Sequence, residues 1–506
     1  MLQLNNFKVA GVTSCLKKHH LTMNILSRSR IRKVICVIFF LFFSAPVFTQ
    51  KLWTLEDCIN YAFDHNLDIK KQVLAVELSK SQVLQSTLNM LPNLNANATN
   101  IWNYGATVDM YTNRFATTTV RSNNFYIASN LTLFNGLSKL NTMKQNQINL
   151  MASRYDLDVI QDDISLSVAG YYLDILFNME LLDVAKSQLK ITQDQVSRIS
   201  KMVDAGSSAK GDLLNIQAQA SAEELVEIEA ENRLNISNLS LQQLIDLPVS
   251  KDFLVEKPLL KPVEKPEVVL TPEQIFDYAL LSRPEIKSAD LRVQSAQKSL
   301  AIVRGTISPT LSFQGSWGTG YSGASKEIDP NAPVQAPTVE SIGITQLSHD
   351  TVLGYFSNPT YRVKSFSNQF TDNNNKSIGF YLYIPIFNGW SGRTAISQAK
   401  IQRDQAEVTL EITKRTLRKN IEQAYADAVA SLKKYNSSLQ KVSAQEESFN
   451  YAQQKFDVGM LTSFDYNISK KDLTRAQSEL LQAKYDFIFK TTILDFYMGK
   501  PISINK

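Results

Sequence analysis

The chain has 506 residues, of which 44% are hydrophobic and 20% charged, so it can bury a large core and is too apolar for disorder. Its net charge of +5 comes from the first 49 residues, which hold seven basic residues and no acid; the rest has 46 Lys and Arg against 48 Asp and Glu, a net of −2. That balance argues against a nucleic-acid partner. The few remaining Cys and His (Cys58, His65, His349) exclude a disulfide framework and disfavour a metal site.

The N terminus is predicted to be a secretory leader. A basic cluster over 28–33 precedes a ten-residue apolar run over 34–43, which is the order of a signal peptide. The run is much shorter than the roughly 20 residues of a membrane-spanning helix. We therefore interpret 1–49 as a cleaved leader, with Met23 as a plausible true start, and expect an exported protein.

The rest of the chain contains one module twice. The segment 54–62 matches 271–279 at an offset of 217 residues, and Phe-Asn-Gly at 134–136 recurs at 387–389 at an offset of 253, which then holds to the end of both copies. The predicted modules are 52–250 and 271–501, and the linker 251–270, rich in Pro and Lys, should be extended. The second copy is longer by 253 − 217 = 36 residues, which fall in the loop 322–376.

Each module carries a long heptad pattern. Apolar residues recur every seventh position, and most positions three residues later are small or polar; the two series begin at Val168 and at Ile421. No proline interrupts 93–247 or 386–500, so long helices are permitted. The pattern predicts coiled-coil packing. A helix over about 136–205 would be roughly 100 Å long, which does not fit a compact enzyme domain.

Four strands are predicted between the helical tracts, where apolar and polar residues alternate. They cover about 94–104, 123–134, 310–321 and 377–387. Each is near the length of a tilted membrane-spanning strand. Four strands cannot close a barrel, and open edges in lipid would leave backbone groups unsatisfied. Two chains would give eight strands with a filled interior, and three would give twelve with a lumen, so a conduit favours three copies. A soluble sandwich is the alternative for the strands.

The order of these features resembles the TolC-type outer-membrane efflux family. In both copies a leading helix, a hairpin that ends in Phe-Asn-Gly, a long helix, an Asp-(Ala/Val)-Gly turn and a returning helix follow one another between 52 and 501. The resemblance implies a mixed α and β membrane protein, in which a homotrimer forms a twelve-stranded β-barrel continuous with an α-helical periplasmic tunnel. It also implies a periplasmic adaptor protein, an inner-membrane RND or ABC pump and outer-membrane lipid as partners.

The candidate site residues lie at the turns between the long helices. Asp212 and Asp465 each follow a turn glycine (Gly206, Gly459) by six residues, at the start of a returning helix. There a carboxylate suits the helix dipole, or three symmetry-related copies would form an acidic ring at the aperture. In the family an acid matches Asp465, whereas the second acid, the gating tyrosine and the gating arginine correspond to Ile468, Phe456 and Leu461. The resemblance therefore supports one acidic ring and leaves a gate that depends on apolar packing or on Asp212.

No catalytic constellation is found, so we expect neither an enzyme nor a cofactor. The chain has no Gly-x-Ser-x-Gly and no phosphate-binding loop, and transport energy would have to come from a partner. The predicted function is passive exit of small molecules such as drugs or metals. The alternatives are the outer component of type I protein secretion and, in a different class, a periplasmic coiled-coil tether or adhesin. Aromatic residues near the strands are candidates for the membrane interface: Trp102, Trp317, Tyr381 and Tyr383.

Overall fold

The computed structural model describes residues 52–117, 119–250, 253–258 and 270–502. The predicted leader 1–49 lies outside these ranges, as does most of the predicted linker 251–270. None of the helices in the described ranges combines the length and the apolar composition needed to cross a membrane.

Two sets of four helices of equal lengths follow from the duplicated sequence. In each set the helices have 11, 22, 67 and 35 residues. The first set is α1 (Leu55–His65), α2 (Leu67–Leu88), α3 (Ser138–Asp204) and α4 (Lys210–Leu244). The second is α5 (Pro272–Ser282), α6 (Pro284–Gly305), α8 (Ser391–Asp457) and α9 (Ser463–Tyr497), with a short α7 (Phe366–Asp372) in the loop before α8.

The long helices α3 and α8 pair with the returning helices through the heptad positions. In α3 the seam residues Val168, Ile175 and Leu182 are buried. Asn178 and Ala185, each three residues after a seam residue, are buried as well. In α8 the equivalent seam is buried in the same way (Ile421, Ala424, Ala428, Ser431, Val442). At 67 residues each helix is about 100 Å long, as the sequence predicted. The small seam residues let the paired helices approach closely.

One four-stranded antiparallel sheet has the strand order β12-β7-β5-β2. Its strands are β2 (Asn93–Asn103), β5 (Val120–Asn135), β7 (Thr310–Ser322) and β12 (Asn375–Tyr383). The predicted end of the last strand at about 387 is wrong, because β12 stops at Tyr383. Pro385 lacks the N–H group that a strand would have to donate.

The remaining strands are short. They are β1 (Leu52–Trp53), β3 (Thr107–Val108), β4 (Phe115–Ala116), β6 (Leu254–Val255), β8 (Lys326–Ile328), β9 (Thr338–Ile344), β10 (Thr351–Phe356) and β11 (Tyr361–Val363). Four of them, β8 to β11, lie together with α7 in the segment 322–376, where the sequence predicted only a surface loop.

The sheet has one apolar and one polar face. Register places on one face Leu94, Ile127, Leu131, Leu311, Phe313, Trp317, Ile378, Phe380 and Leu382. The opposite face carries Asn95, Asn97, Asn130, Thr132, Ser312, Gln314, Ser316 and Ser377. This separation is typical of a barrel strand with one side toward lipid and the other toward an aqueous lumen.

The two modules lie side by side in the sheet and in the helical layers below it. The first module therefore forms one edge of the chain and the second module forms the other. In the sheet, β2 is the edge strand of the first module and β12 that of the second. In the helical layer near the sheet, α2 contacts α3, α3 contacts α6, and α6 contacts α8. Farther from the sheet the order is α4, α3, α9, α8. The edges of the described chain are therefore β2, α2 and α4 on one side and β12 and α8 on the other.

The largest core cluster lies where α1, α3, α4 and α9 meet. Tyr172 is 1% exposed there, and its hydroxyl donates to the backbone oxygen of Glu256 at 2.6 Å and lies 3.2 Å from that of Trp53. The Glu256 N–H donates to the Trp53 carbonyl at 2.9 Å. Tyr172 thus ties the segment after the first module to its beginning.

Candidate functional site: the tips of the two helical hairpins

The two helical hairpins of the chain end in tight turns at matching positions. Gly206 and Gly459 have φ angles of +72° and +79°, a backbone conformation that side chains disfavour. Beyond each glycine an N–H bonds back to the helix, from Ser207 to the Met202 carbonyl and from Met460 to the Lys455 carbonyl, both at 2.8 Å. This is the Schellman ending of a helix. The sequence signal Asp-x-Gly located both turns.

The two turns lie next to each other and enclose a cleft of about 600 Å³. It is lined by residues of α3 and α8, of both turns and of the first turns of α4 and α9: Gln195, Arg198, Met202, Asp212, Gln453, Phe456, Asp457, Gly459, Leu461 and Ser463. The predicted positions Asp212, Phe456, Gly459 and Leu461 are therefore brought together. Asp465 and Ile468 lie on the first turns of α9, outside the cleft lining.

Asp465 and Asp212 both lie in the first turn of a returning helix. The Thr462 hydroxyl donates to the Asp465 carboxylate at 2.7 Å, and the Asp465 N–H donates to the Thr462 oxygen at 3.2 Å. This reciprocal pair caps α9. Asp212 accepts from Ser208 at 3.1 Å and from Ser463 of the other hairpin at 3.5 Å. Asp465 thus remains exposed at the tip, whereas Asp212 faces the neighbouring turn.

The apolar residues that replace the family's gating pair have different surroundings. Phe456 stacks on Tyr466 with a ring-centroid distance of 4.7 Å. Leu461 lines the cleft, and the side chain of Ile468 is 45% exposed. Phe456 therefore packs within its own hairpin.

Polar contacts join the two hairpins at residues that sequence analysis missed. Arg198 of α3 donates to Asp457 of α8 at 2.8 Å, and this bond lowers the pKa of the Asp457 carboxyl. Gln195 donates to the Tyr466 hydroxyl at 2.6 Å, which in turn donates to Gln453 at 2.8 Å. These contacts join the tips in addition to the bond that Asp212 accepts from Ser463. A gate that depends on apolar packing or on Asp212 stays a prediction.

A buried ion pair lies farther from the tip between the same hairpins. Lys470 of α9 is 2% exposed, and its ammonium lies 3.1 Å from the Glu223 carboxylate of α4. It also donates to the Gln188 carbonyl at 3.0 Å and to the Thr192 hydroxyl. Burial lowers the pKa of Lys470, and Glu223 opposes that shift. Three helices therefore converge on one buried cation.

The candidate interface aromatics lie on different faces of the sheet. Trp102 and Trp317 share the apolar face, Trp102 beneath the Arg121 guanidinium at 5.7 Å from its ring centroid. Tyr381 and Tyr383 lie on the polar face, in register with Ser312 and Thr310. Two of the four residues are therefore on the apolar face.

The sheet, the long hairpins and their paired tips together define a channel-type duct. The family model described as outer membrane efflux protein matches residues 58–246 and 275–500. The chain therefore belongs to the outer membrane efflux protein family, and it is an outer-membrane exit duct whose helices extend into the periplasm.

Curated relatives agree with this family, and solved structures have a similar fold. BepC of Brucella suis, an outer membrane efflux protein, is 21% identical over 72% of this chain and 69% of its own length. TolC of Escherichia coli is 20% identical over 71% and 65%, and the alkaline protease secretion protein AprF of Pseudomonas aeruginosa is 21% identical over 67% and 61%. The matches thus span about two thirds of these relatives. The fold is similar to those of CusC (TM-score 0.69, 16% identity, 88% of this chain and 92% of that one) and of VceC from Vibrio cholerae (0.68, 14%, 89% and 97%).

Proposed function

We propose that three copies of this chain close into one ring and act as the passive exit duct of a tripartite export system. The open edges of the chain carry this proposal. The edge strands β2 and β12 each have one side without a partner in the sheet, and their apolar face would leave unpaired backbone groups in lipid. Pairing β12 of one copy with β2 of the next satisfies both edges, and three copies give twelve strands.

The helical edges support the same arrangement, because they would meet wherever β12 meets β2 of the next copy. Near the sheet, α2 exposes Leu74 and Leu78, and α8 exposes Val408 and Ile412. Toward the tip, α4 exposes a second heptad stripe, opposite to its α3 contact, that contains Leu214, Leu225 and Ile228. The facing side of α8 is exposed and small (Ala426, Ala430, Ser437, Ala444). Large residues on α4 thus fit small residues on α8 of the neighbour.

Heat-resistant trimers on gels and single-channel conductance in planar bilayers test the proposed duct. A monomeric product that does not conduct and needs no detergent would contradict it.

The adaptor would dock at the hairpin tips, and an RND or ABC pump would supply the energy. Protein secretion is the second candidate, favoured by the similarity to AprF. Trp102 and Trp317 would lie toward the lipid in either case.

Arg198→Ala is expected to raise the conductance of the closed channel, because it removes the ionic contact between the hairpins at the tip. Single-channel recordings measure this effect, with Arg233→Ala as control, since the ion pair of Arg233 is with Glu229 of its own helix, at 4.0 Å. The contact needs the ionised carboxylate of Asp457, which is fully present above about pH 4, the ordinary range for an aspartate. Because the pKa of Asp457 is lowered, the contact is lost as the pH falls through that lowered pKa. A wild-type conductance that does not rise in acid, together with an inert Arg198→Ala, would show that this contact does not hold the entrance.

Asp465→Asn is expected to weaken block of the conductance by multivalent cations applied from the tip side. Three exposed carboxylates around the threefold axis would attract such cations, whereas three amides would not. Asp290→Asn is the matched control, because Asp290 is also exposed and bonds to the Gln294 side chain of α6 at 2.8 Å. Equal block in Asp465→Asn and wild type would leave Asp465 as a helix cap only.

A further inference from the structure

The loop between β7 and β12 carries a β-ribbon that the described part of the chain leaves uncovered. We call residues 338–356, with β9, β10 and their turn, the apolar ribbon. Its two strands pair only with each other, and every residue except Gly354 is exposed. A lone two-stranded ribbon is at best marginally stable in water. An ordered ribbon of this kind therefore needs a partner surface.

The ribbon is apolar on both faces. The strand register, with a bulge between Val352 and Leu353, places on one face Val339, Ile344, Leu353 and Tyr355. The other face carries Ile342, Val352 and Phe356; a Cβ atom on Gly354 would lie 2.7 Å from Ile342 and 3.1 Å from Phe356, so both side chains close over this glycine. The apolar side chains on both faces are 39–76% exposed. A partner on one side would thus leave the other face in water.

The edges of the ribbon also lack the usual protection against pairing. Natural edge strands carry lysine, proline or inward-pointing charges that prevent association. The segment 338–356 has neither Lys, Arg nor Pro, and its charged residues are Glu340 and Asp350. The ribbon is therefore suited to contact another protein surface.

We propose that the three ribbons of the trimer pack against one another over the outer mouth of the barrel, with the first face of each against the second face of the next. A threefold ring is an arrangement that gives every ribbon two identical neighbours, one for each apolar face. This inference rests on the proposed trimer, in which β12, the next strand of the four-stranded sheet after the ribbon, contacts the neighbouring copy. A seven-residue strand spans about 23 Å, and a twelve-stranded ring has a radius of roughly 12 Å, so the ribbons reach the axis. The packed ribbons would narrow the outer mouth.

Paired cysteines test this contact because its two sides differ. The full chain with Val352→Cys and Leu353→Cys carries one thiol on each face, and a short bis-maleimide should convert it into covalent trimers on gels run after full unfolding in urea, which separates copies that are not cross-linked. Either variant alone should stay monomeric on such gels, because like faces do not meet. The same treatment should lower the single-channel conductance of the double variant and leave both single variants unchanged. The parent chain, in which Cys58 is buried, is the background control.

The outcomes separate the ribbon contact from the trimer itself. A double variant that migrates as a trimer on native gels, yet gives no covalent trimers, would overturn the ribbon contact and leave the duct intact. Labelling of both thiols by a lipid-soluble maleimide, again without cross-links, would assign the ribbon to the membrane. Cross-links in one single variant would show that like faces meet, which contradicts the proposed order. Loss of the native trimer in the parent chain would instead contradict the proposed function.

Discussion

Lys470→Met is expected to lower the free energy of unfolding by about 3 kcal/mol, the lower end for breaking a buried ion pair. Methionine has nearly the shape of lysine, so the change leaves the Glu223 carboxylate without its ammonium partner in a mostly buried position between α4 and α9. The Gln188 carbonyl also loses a donor at 3.0 Å. Denaturant titration of the detergent-solubilised protein, followed by its helical circular dichroism, measures the change.

The exposed pair Lys441–Glu479 is the matched control. It joins α8 to α9 at 2.7 Å, but its two side chains are 40% and 43% exposed. Lys441→Met should therefore change the free energy of unfolding by less than about 1 kcal/mol. The double variant Lys470→Met/Glu223→Leu should recover most of the loss, since an apolar pair can replace a buried ion pair. Equal effects of Lys470→Met and Lys441→Met would show that burial does not set the strength of the inner pair.

The architecture could be predicted from the sequence because it depends on repetition and short-range pattern. The alternation of apolar and polar residues located the four strands, and the Asp-x-Gly signal located both turns. Where a local rule was overlooked, the prediction failed: Pro385 ends β12 at Tyr383, four residues before the expected boundary. The composition of the segment 322–376, rich in Thr, Ser, Asn, Gly and Pro, predicted a surface loop, and the strands that it contains are too short to show a clear period.

The contacts between the hairpins could not be predicted, because they depend on how two separate modules lie against each other. Arg198 and Asp457 are 259 residues apart, and nothing near either residue marks the other. Lys470 lies on a helix rich in charged residues, where a solvated position is the ordinary expectation. The structure buries it because α9 packs across both α3 and α4. Positions fixed by helix periodicity were therefore predictable, and pairings fixed by module placement were not.

The variant Leu225→Asp/Ile228→Asp is expected to abolish the trimer and leave the fold of each copy intact. Both side chains are more than half exposed in the single chain, at 57% and 55%, so the α3–α4 hairpin does not need them. In the proposed ring they pack on Ala444 and its small neighbours in α8 of the next copy. Two unpaired carboxylates at each of three interfaces would cost several kcal/mol apiece when buried. Native gels and light scattering in detergent measure the oligomer, and circular dichroism measures helix content.

Val226→Asp is the control for this prediction, because it introduces one carboxylate of the same kind on the same helix. Val226 is 53% exposed but points about 100° away from Leu225 around the helix axis, off the stripe that would meet α8. This variant should remain trimeric and conduct. If Val226→Asp and Leu225→Asp/Ile228→Asp dissociate alike, added charge rather than the stripe is responsible. If both remain trimeric, the contact between α4 and α8 is not the helical part of the interface, and the ring is held by its strand edges alone.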